Sequence, residues 1–304
     1  MSYLDYLRTL KTGRKESISL DELQSIAESR DIFDKNLIDR WKIDPLYMER
    51  LILNHVVHSF QLAIHFEYIQ GESTSSNALV YKRTDGTASA LFFDEILDLS
   101  ILGIFVTVWA CVYKPEYFEI CREELLFLIK DVLVERKSSY IGGMDIIEET
   151  HMPNRAIVQA FDMYWCAWTF VIGHEIFHII NREVLSVREE EFRADQFGFQ
   201  VLISFIEEQK KGEIGKELDC FYEEYYLVPC MLMYIFRAMD EVRLNIQEYG
   251  ADYCYPSPED RMQAIIDLFD TDIPEEMDTT NGNAFLNTFL DAFDSMFNYR
   301  KDVD

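Results

Sequence analysis

The sequence predicts a mainly α fold with a small β-hairpin or sheet, an α+β arrangement dominated by helices. Three observations predict it. Apolar residues run in long stretches at helical period, above all over 99–113 and 155–180. Helix-start signals recur: Asp44-Pro45, Pro115, the capping boxes Ser19-Leu-Asp-Glu22 and Ser186-Val-Arg-Glu189, and Ser257-Pro258. Two β-prone runs around a turn dipeptide occur convincingly only at Asp85-Gly86.

In chain order, a first helix is expected from Ser19 through about Ser29, and a long one from Asp44 to about Gly71 carrying His55, His58 and His65. His55 and His58 share a helical face, but no carboxylate or Cys accompanies them in a ligand pattern, so they read as core or surface histidines. The polar stretch 71–77 reads as a loop. Residues 78–83 and 88–93 then form the hairpin, either aligning an extended ligand by strand addition or covering the core. Helices follow over 95–113 and from Pro115 to about Lys137. A break at 142–153 holds His151, which reads as a surface loop histidine. Further helices span about 155–180, 187–209 and 217–249, the last kinked by Pro229. Ser257-Pro258 opens another, with Arg261 in its first turns, and the final 30 residues form an amphipathic helix bearing Phe285, Phe289, Phe293 and Phe297.

This organisation is expected as an N-terminal helical region (1–75) packed with a main domain (76–304). The net charge of −27 repels phosphates and anionic surfaces, so neither nucleic acid nor a membrane is expected as principal partner. Six cysteines (111, 121, 166, 220, 230, 254) form no C-x-x-C, which suits reduced structural thiols in a cytoplasmic protein. No basic-then-apolar leader opens the chain, and the run 99–113 is shorter than the roughly 20 residues of a spanning helix. Stable membrane insertion is therefore not expected.

The chemistry concentrates in His174-Glu175-Ile-Phe-His178. At about 3.6 residues per turn, the two imidazoles stand on one helical face, where they can share a zinc ion. Zinc in a catalytic site takes three protein ligands. Glu191 is the expected third, with Asp195 one turn later to orient a ligand. Glu189 and Glu190 are rivals, and Glu191 is preferred because it alone has a carboxylate one turn on. This pattern predicts a zinc metallopeptidase with Glu175 as general base toward a zinc-activated water.

The sequence His174-Glu175-x-x-His178, Glu191-x-x-x-Asp195 and Pro256-Ser-Pro-Glu-Asp-Arg261 resembles the gluzincin metallopeptidases, and the soluble Lit-type phage-exclusion peptidases more than the membrane-linked type. The resemblance covers about 78–268. It implies a gluzincin-like core of a His-Glu-x-x-His helix followed by a Glu-bearing helix, and cleavage of a host cytosolic protein during phage infection. Where that family has His before Pro, this chain has Tyr255, a candidate electrophile at a developing oxyanion or a packing aromatic. Arg261 is expected to pair with an acidic neighbour of the site, to steady the cleft or to meet substrate. The implied partners are a protein or peptide substrate and, if activity is triggered, a protein or peptide activator. Rival readings are a zinc-containing regulatory or binding protein with weak or no turnover, and a helical interaction protein with a coincidental motif.

Overall fold

The computed structural model describes residues 47–63, 66–71, 78–82, 89–135, 144–211, 223–245, 255–272 and 279–297. The helix expected at Ser19, His65, the Asp85-Gly86 turn, the breaks at 142–143 and 212–215, and Cys220 and Cys254 lie outside them. The fold is mainly α. Its elements are α1 (Tyr47–Ser59), β1 (Phe66–Gly71), β2 (Ala78–Lys82), β3 (Ser89–Asp94), α2 (Glu95–Tyr113), a 3-10 turn (Pro115–Tyr117), α3 (Phe118–Phe127) continued by a π-helical segment (Leu128–Val134), α4 (Met144–Glu149), α5 (Asn154–Ile180), α6 (Val187–Lys210), a 3-10 turn (Glu223–Leu227), α7 (Val228–Asn245), α8 (Pro258–Asp272) and α9 (Thr279–Phe297).

The hairpin of β2 and β3 is present, with Ala78 opposite Phe93 and Lys82 opposite Ser89. The sheet also contains a strand that the sequence reading places inside a helix. Residues 66–71 form β1, which pairs parallel to β3 in the order β1-β3-β2. The helix expected through Gly71 ends at Ser59 because the chain turns left-handed at Gln61 (φ 50°). The amide of Leu62 then donates to the carbonyl of Val57 (3.0 Å), and that of Gln61 to His58 (3.2 Å), capping the carbonyls a helix end exposes. Glycine normally signals such a stop, and none stands there.

Two further expectations are corrected. The break before α5 contains the short α4, which ends in the same way at His151 (φ 49°), with the Met152 amide donating to Ile147 and the His151 amide to Glu148. His151 is thus an exposed helix-capping residue. Pro229 does not kink a long helix, because α7 starts at Val228. In the first turn a proline has no intrahelical hydrogen bond to remove.

The long helix α5 runs through the core and packs against α1, α2, α6 and α7. Residues around its whole circumference are buried, including Ile157, Phe161, Trp165, Trp168, Phe170 and Ile176. This explains its nearly uniform apolar sequence. Its buried polar partner is Asp98 of α2, which accepts from the Tyr164 hydroxyl (2.5 Å) and the Trp168 indole, so the acid is not left bare in an apolar layer. By length and composition α2 (over 96–113) and α5 are apolar enough to cross a membrane, yet 83% of each stretch is buried inside the molecule. The amphipathic α9 buries Phe289 and Phe293 fully. Cys111, Cys121, Cys166 and Cys230 are buried free thiols.

Candidate metal centre

The last turns of α5 and the first of α6 build the site. Ser186 caps α6: its hydroxyl accepts from the Glu189 amide (3.3 Å) while the Glu189 carboxylate accepts from the Ser186 amide (3.1 Å). This reciprocal cap fixes where α6 starts, and so which way the following side chains point. Each residue turns the helix about 100°, so three successive glutamates take three directions. Glu189 closes the cap, Glu190 reaches His178, and Glu191 faces both imidazoles.

Two glycines let α6 approach. A Cβ on Gly173 would stand 2.9 Å from the Gly198 Cα, and one on Gly198 would stand 2.6 Å from the Phe170 carbonyl oxygen. The backbones therefore touch beside His174, and neither glycine was singled out from the sequence. The signal was available, since a lone glycine within a helical pattern points to close backbone packing.

His174 Nε2 and His178 Nε2 face each other at 3.1 Å. Glu191 completes a triangle, its Oε2 3.6 Å from His174 Nε2 and its Oε1 3.7 Å from His178 Nε2. These three side chains form a group able to hold a metal ion. Zinc bonds of about 2.0–2.2 Å at tetrahedral angles separate any two ligand atoms by about 3.3–3.6 Å, close to the observed spacings.

The other ring nitrogens support the same use. His174 Nδ1 meets Asp195 Oδ1 at 2.9 Å and His178 Nδ1 meets Glu190 Oε1 at 3.3 Å. An ionised carboxylate only accepts, so an imidazole that faces one carries a proton on Nδ1, and in its neutral form it then offers the Nε2 lone pair to the inside of the site. Two lone pairs and a carboxylate then converge on one point. Such an arrangement can hold a cation, and the donor set (two nitrogens and an oxygen) fits zinc.

Arg261, on α8, clamps this arrangement from outside. Its Nε donates to Asp195 Oδ2 (2.7 Å) and its Nη2 to Asp195 Oδ1 (2.6 Å), while Nη1 lies 3.6 Å from Glu191 Oε2. Of the three roles considered for Arg261, pairing with an acidic neighbour is the one formed. A second tie, Arg188 to Asp260 (2.8 Å), joins the starts of α6 and α8.

Electrostatics follow from this packing. Burial alone would raise the Asp195 pKa, but Arg261 and then His174 hold it below the ordinary carboxylate range. Burial works to lower the His174 pKa, and the Asp195 carboxylate outweighs it, leaving a net rise. Burial and the neighbouring His174 lower His178, against Glu190 and Glu191. Glu175 is pushed up to about 7, chiefly by burial, with Glu191 adding to the rise against His174 and Arg261. Among the described residues, the Glu175 carboxyl makes no hydrogen bond.

The remaining candidates fall elsewhere. Tyr255 is 58% exposed, and among the described residues no hydrogen bond joins it to the histidines or Glu191. His55 is buried against Glu208 (3.0 Å) and His58 is exposed, so the two do not form a second centre. Comparison with protein-family models, with curated proteins and with solved structures found no match to this chain.

Proposed function

We propose that this chain is a zinc-dependent endopeptidase with a gluzincin-like core. The observation that carries the reading is the convergence of His174 Nε2, His178 Nε2 and a Glu191 oxygen, with both Nδ1 atoms tied to carboxylates. His174, His178 and Glu191 would hold the ion, and Asp195, itself fixed by Arg261, orients His174. A bound zinc ion supplies a Lewis acid that polarises a carbonyl and lowers the pKa of water.

Glu175 acts as general base and then general acid. It follows His174 directly on α5, and a carboxyl pKa of about 7 is matched to taking a proton from water near neutral pH and returning it to a leaving amine. Strand β2 lies at the edge of the sheet among the described strands and packs against α5, which suits an extended peptide adding to that edge. The substrate is thus a protein or peptide, and a host cytosolic protein is the target that the Lit-type resemblance suggests. A cytoplasmic location fits that target.

The test is metal content by mass spectrometry, together with proteomics of a cell lysate treated with wild type or Glu175→Gln. One equivalent of zinc in both proteins, with new protein termini only for wild type, is expected. Zinc without cleavage by wild type would favour a metal-containing regulatory or binding protein; absence of zinc binding would overturn both readings.

A further inference from the structure

The two imidazoles are not held equally. The carboxylate behind His174, Asp195, has only 1% of its side chain exposed and is gripped twice by Arg261. The carboxylate behind His178, Glu190, is 34% exposed. Its Oε1 accepts from His178 Nδ1 (3.3 Å) and from Asn181 Nδ2 (3.4 Å). Asn181 is the residue that ends α5, and it is fastened to the connector beyond: its Oδ1 accepts from the Glu183 amide (2.9 Å) and its Nδ2 reaches the Glu183 carbonyl (3.3 Å).

We propose that the exposed connector over 181–186 governs how firmly the centre retains its metal, acting through Asn181 and Glu190, with Glu190 as a positioning residue for His178. This rests on the zinc reading above. A ligand ring keeps its orientation and tautomer through the partner of its other nitrogen, and removing such a partner typically weakens metal binding about 10–100-fold. His174 is locked by a buried pair reached from α8. His178 is locked by one oxygen of a carboxylate whose side chain is 34% exposed and which is shared with the connector, so metal exchange proceeds by His178 letting go first. Anything that engages the connector and draws Asn181 away from Glu190 then loosens the metal without touching a ligand.

The decisive feature for a test is that one oxygen accepts both bonds. Glutamine at 190 keeps a carbonyl oxygen there, and alanine does not. Zinc affinity is measured on the full chain by competition with a chromophoric chelator, and the rate of zinc loss is followed in excess chelator. Cobalt substituted for zinc reports ligand geometry through its visible absorption.

Glu190→Ala is expected to weaken zinc binding about 10–100-fold and to shift the cobalt spectrum. Glu190→Gln should stay within about threefold of wild type, and Asn181→Ala should release zinc several-fold faster, in keeping with a smaller share of the same partner effect. Arg193→Ala, which removes an ion pair to Glu183 between side chains more than half exposed, should change neither readout.

Zinc binding by Glu190→Ala equal to wild type would overturn the proposal, as would equal losses in Glu190→Ala and Glu190→Gln. His178→Ala separates this from failure of the metal reading. If His178→Ala loses zinc while Glu190→Ala does not, only the connector's role falls; if wild type binds no better than His178→Ala, the centre itself falls and the connector's role with it.

Discussion

Gly173 and Gly198 meet face to face across α5 and α6, so closely that a Cβ on Gly173 would stand 2.9 Å from the Cα of Gly198. This contact sits one residue before His174 and three after Asp195, where the two helices must lie closest for Glu191 to reach the imidazoles. Replacement of Gly198 by alanine would push a methyl group to 2.6 Å from the Phe170 carbonyl oxygen, a backbone atom that cannot rotate aside. Overpacking of this kind costs about 1–3 kcal/mol. Gly198→Ala should therefore lower the melting temperature and, by spreading the ligands, reduce zinc affinity. Thermal unfolding with and without zinc checks both, and an unchanged affinity would remove the role given to the glycine pair.

Glu175→Gln should bind zinc as wild type does and lose hydrolysis. The glutamate also predicts a signed pH effect on the metal-free protein. Its pKa in the fold is raised, chiefly by burial, from 4.5 to about 7. A raised group contributes stability below its unfolded value, and that contribution is lost as pH rises through the folded one. Metal-free Glu175→Gln should thus gain most over wild type at pH 8, with the gain shrinking between pH 7 and 4.5. Melting temperatures of the two chelator-treated proteins over that range are the measurement. A gain that grew on acidification would contradict a Glu175 whose pKa is raised in the fold.

Arg261→Ala leaves Asp195 buried with half of its partners gone. Breaking a buried ion pair by removing one member typically costs about 3–5 kcal/mol. Because Arg261 binds both oxygens of Asp195, Arg261→Lys should restore only part of this. The depressed Asp195 pKa sets the sign at low pH: its contribution is present above the ordinary 3.8 and is lost as pH falls through the lower folded value. Denaturant unfolding at pH 7 and pH 3 compares the variants, and a near-neutral Arg261→Ala at pH 7 would refute the clamp.

Tyr255→Phe should leave zinc affinity and stability unchanged, since the side chain is 58% exposed and substitutions at such surfaces usually stay within about 0.5 kcal/mol. Turnover of a cleaved peptide is expected to stay within a few-fold. A loss of kcat of a hundredfold or more with zinc retained would instead assign the phenol to an oxyanion, as the sequence first suggested.

Much of this protein was legible as local pattern. The capping box at Ser186, the Ser257-Pro258 start of α8, the hairpin strands and the phenylalanine face of α9 each depend on residues a few positions apart, and all are formed. The stops at Gln61 and His151 were not legible, because non-glycine residues take the left-handed turn there. Nor was β1, whose partner β3 lies beyond β2 in the chain.

The same division runs through the candidate metal centre. The sequence by itself determined that His174 and His178 share a face, because four residues make about one turn of any helix. Only the tertiary structure decided which of Glu189, Glu190 and Glu191 meets them, that Glu190 stands behind His178, and that Arg261 reaches Asp195 from 66 positions away. The physical reason is that helical spacing fixes directions within one helix, whereas the distance and rotation between two helices depend on what their touching surfaces allow. Here a pair of absent side chains, at Gly173 and Gly198, allows backbone contact.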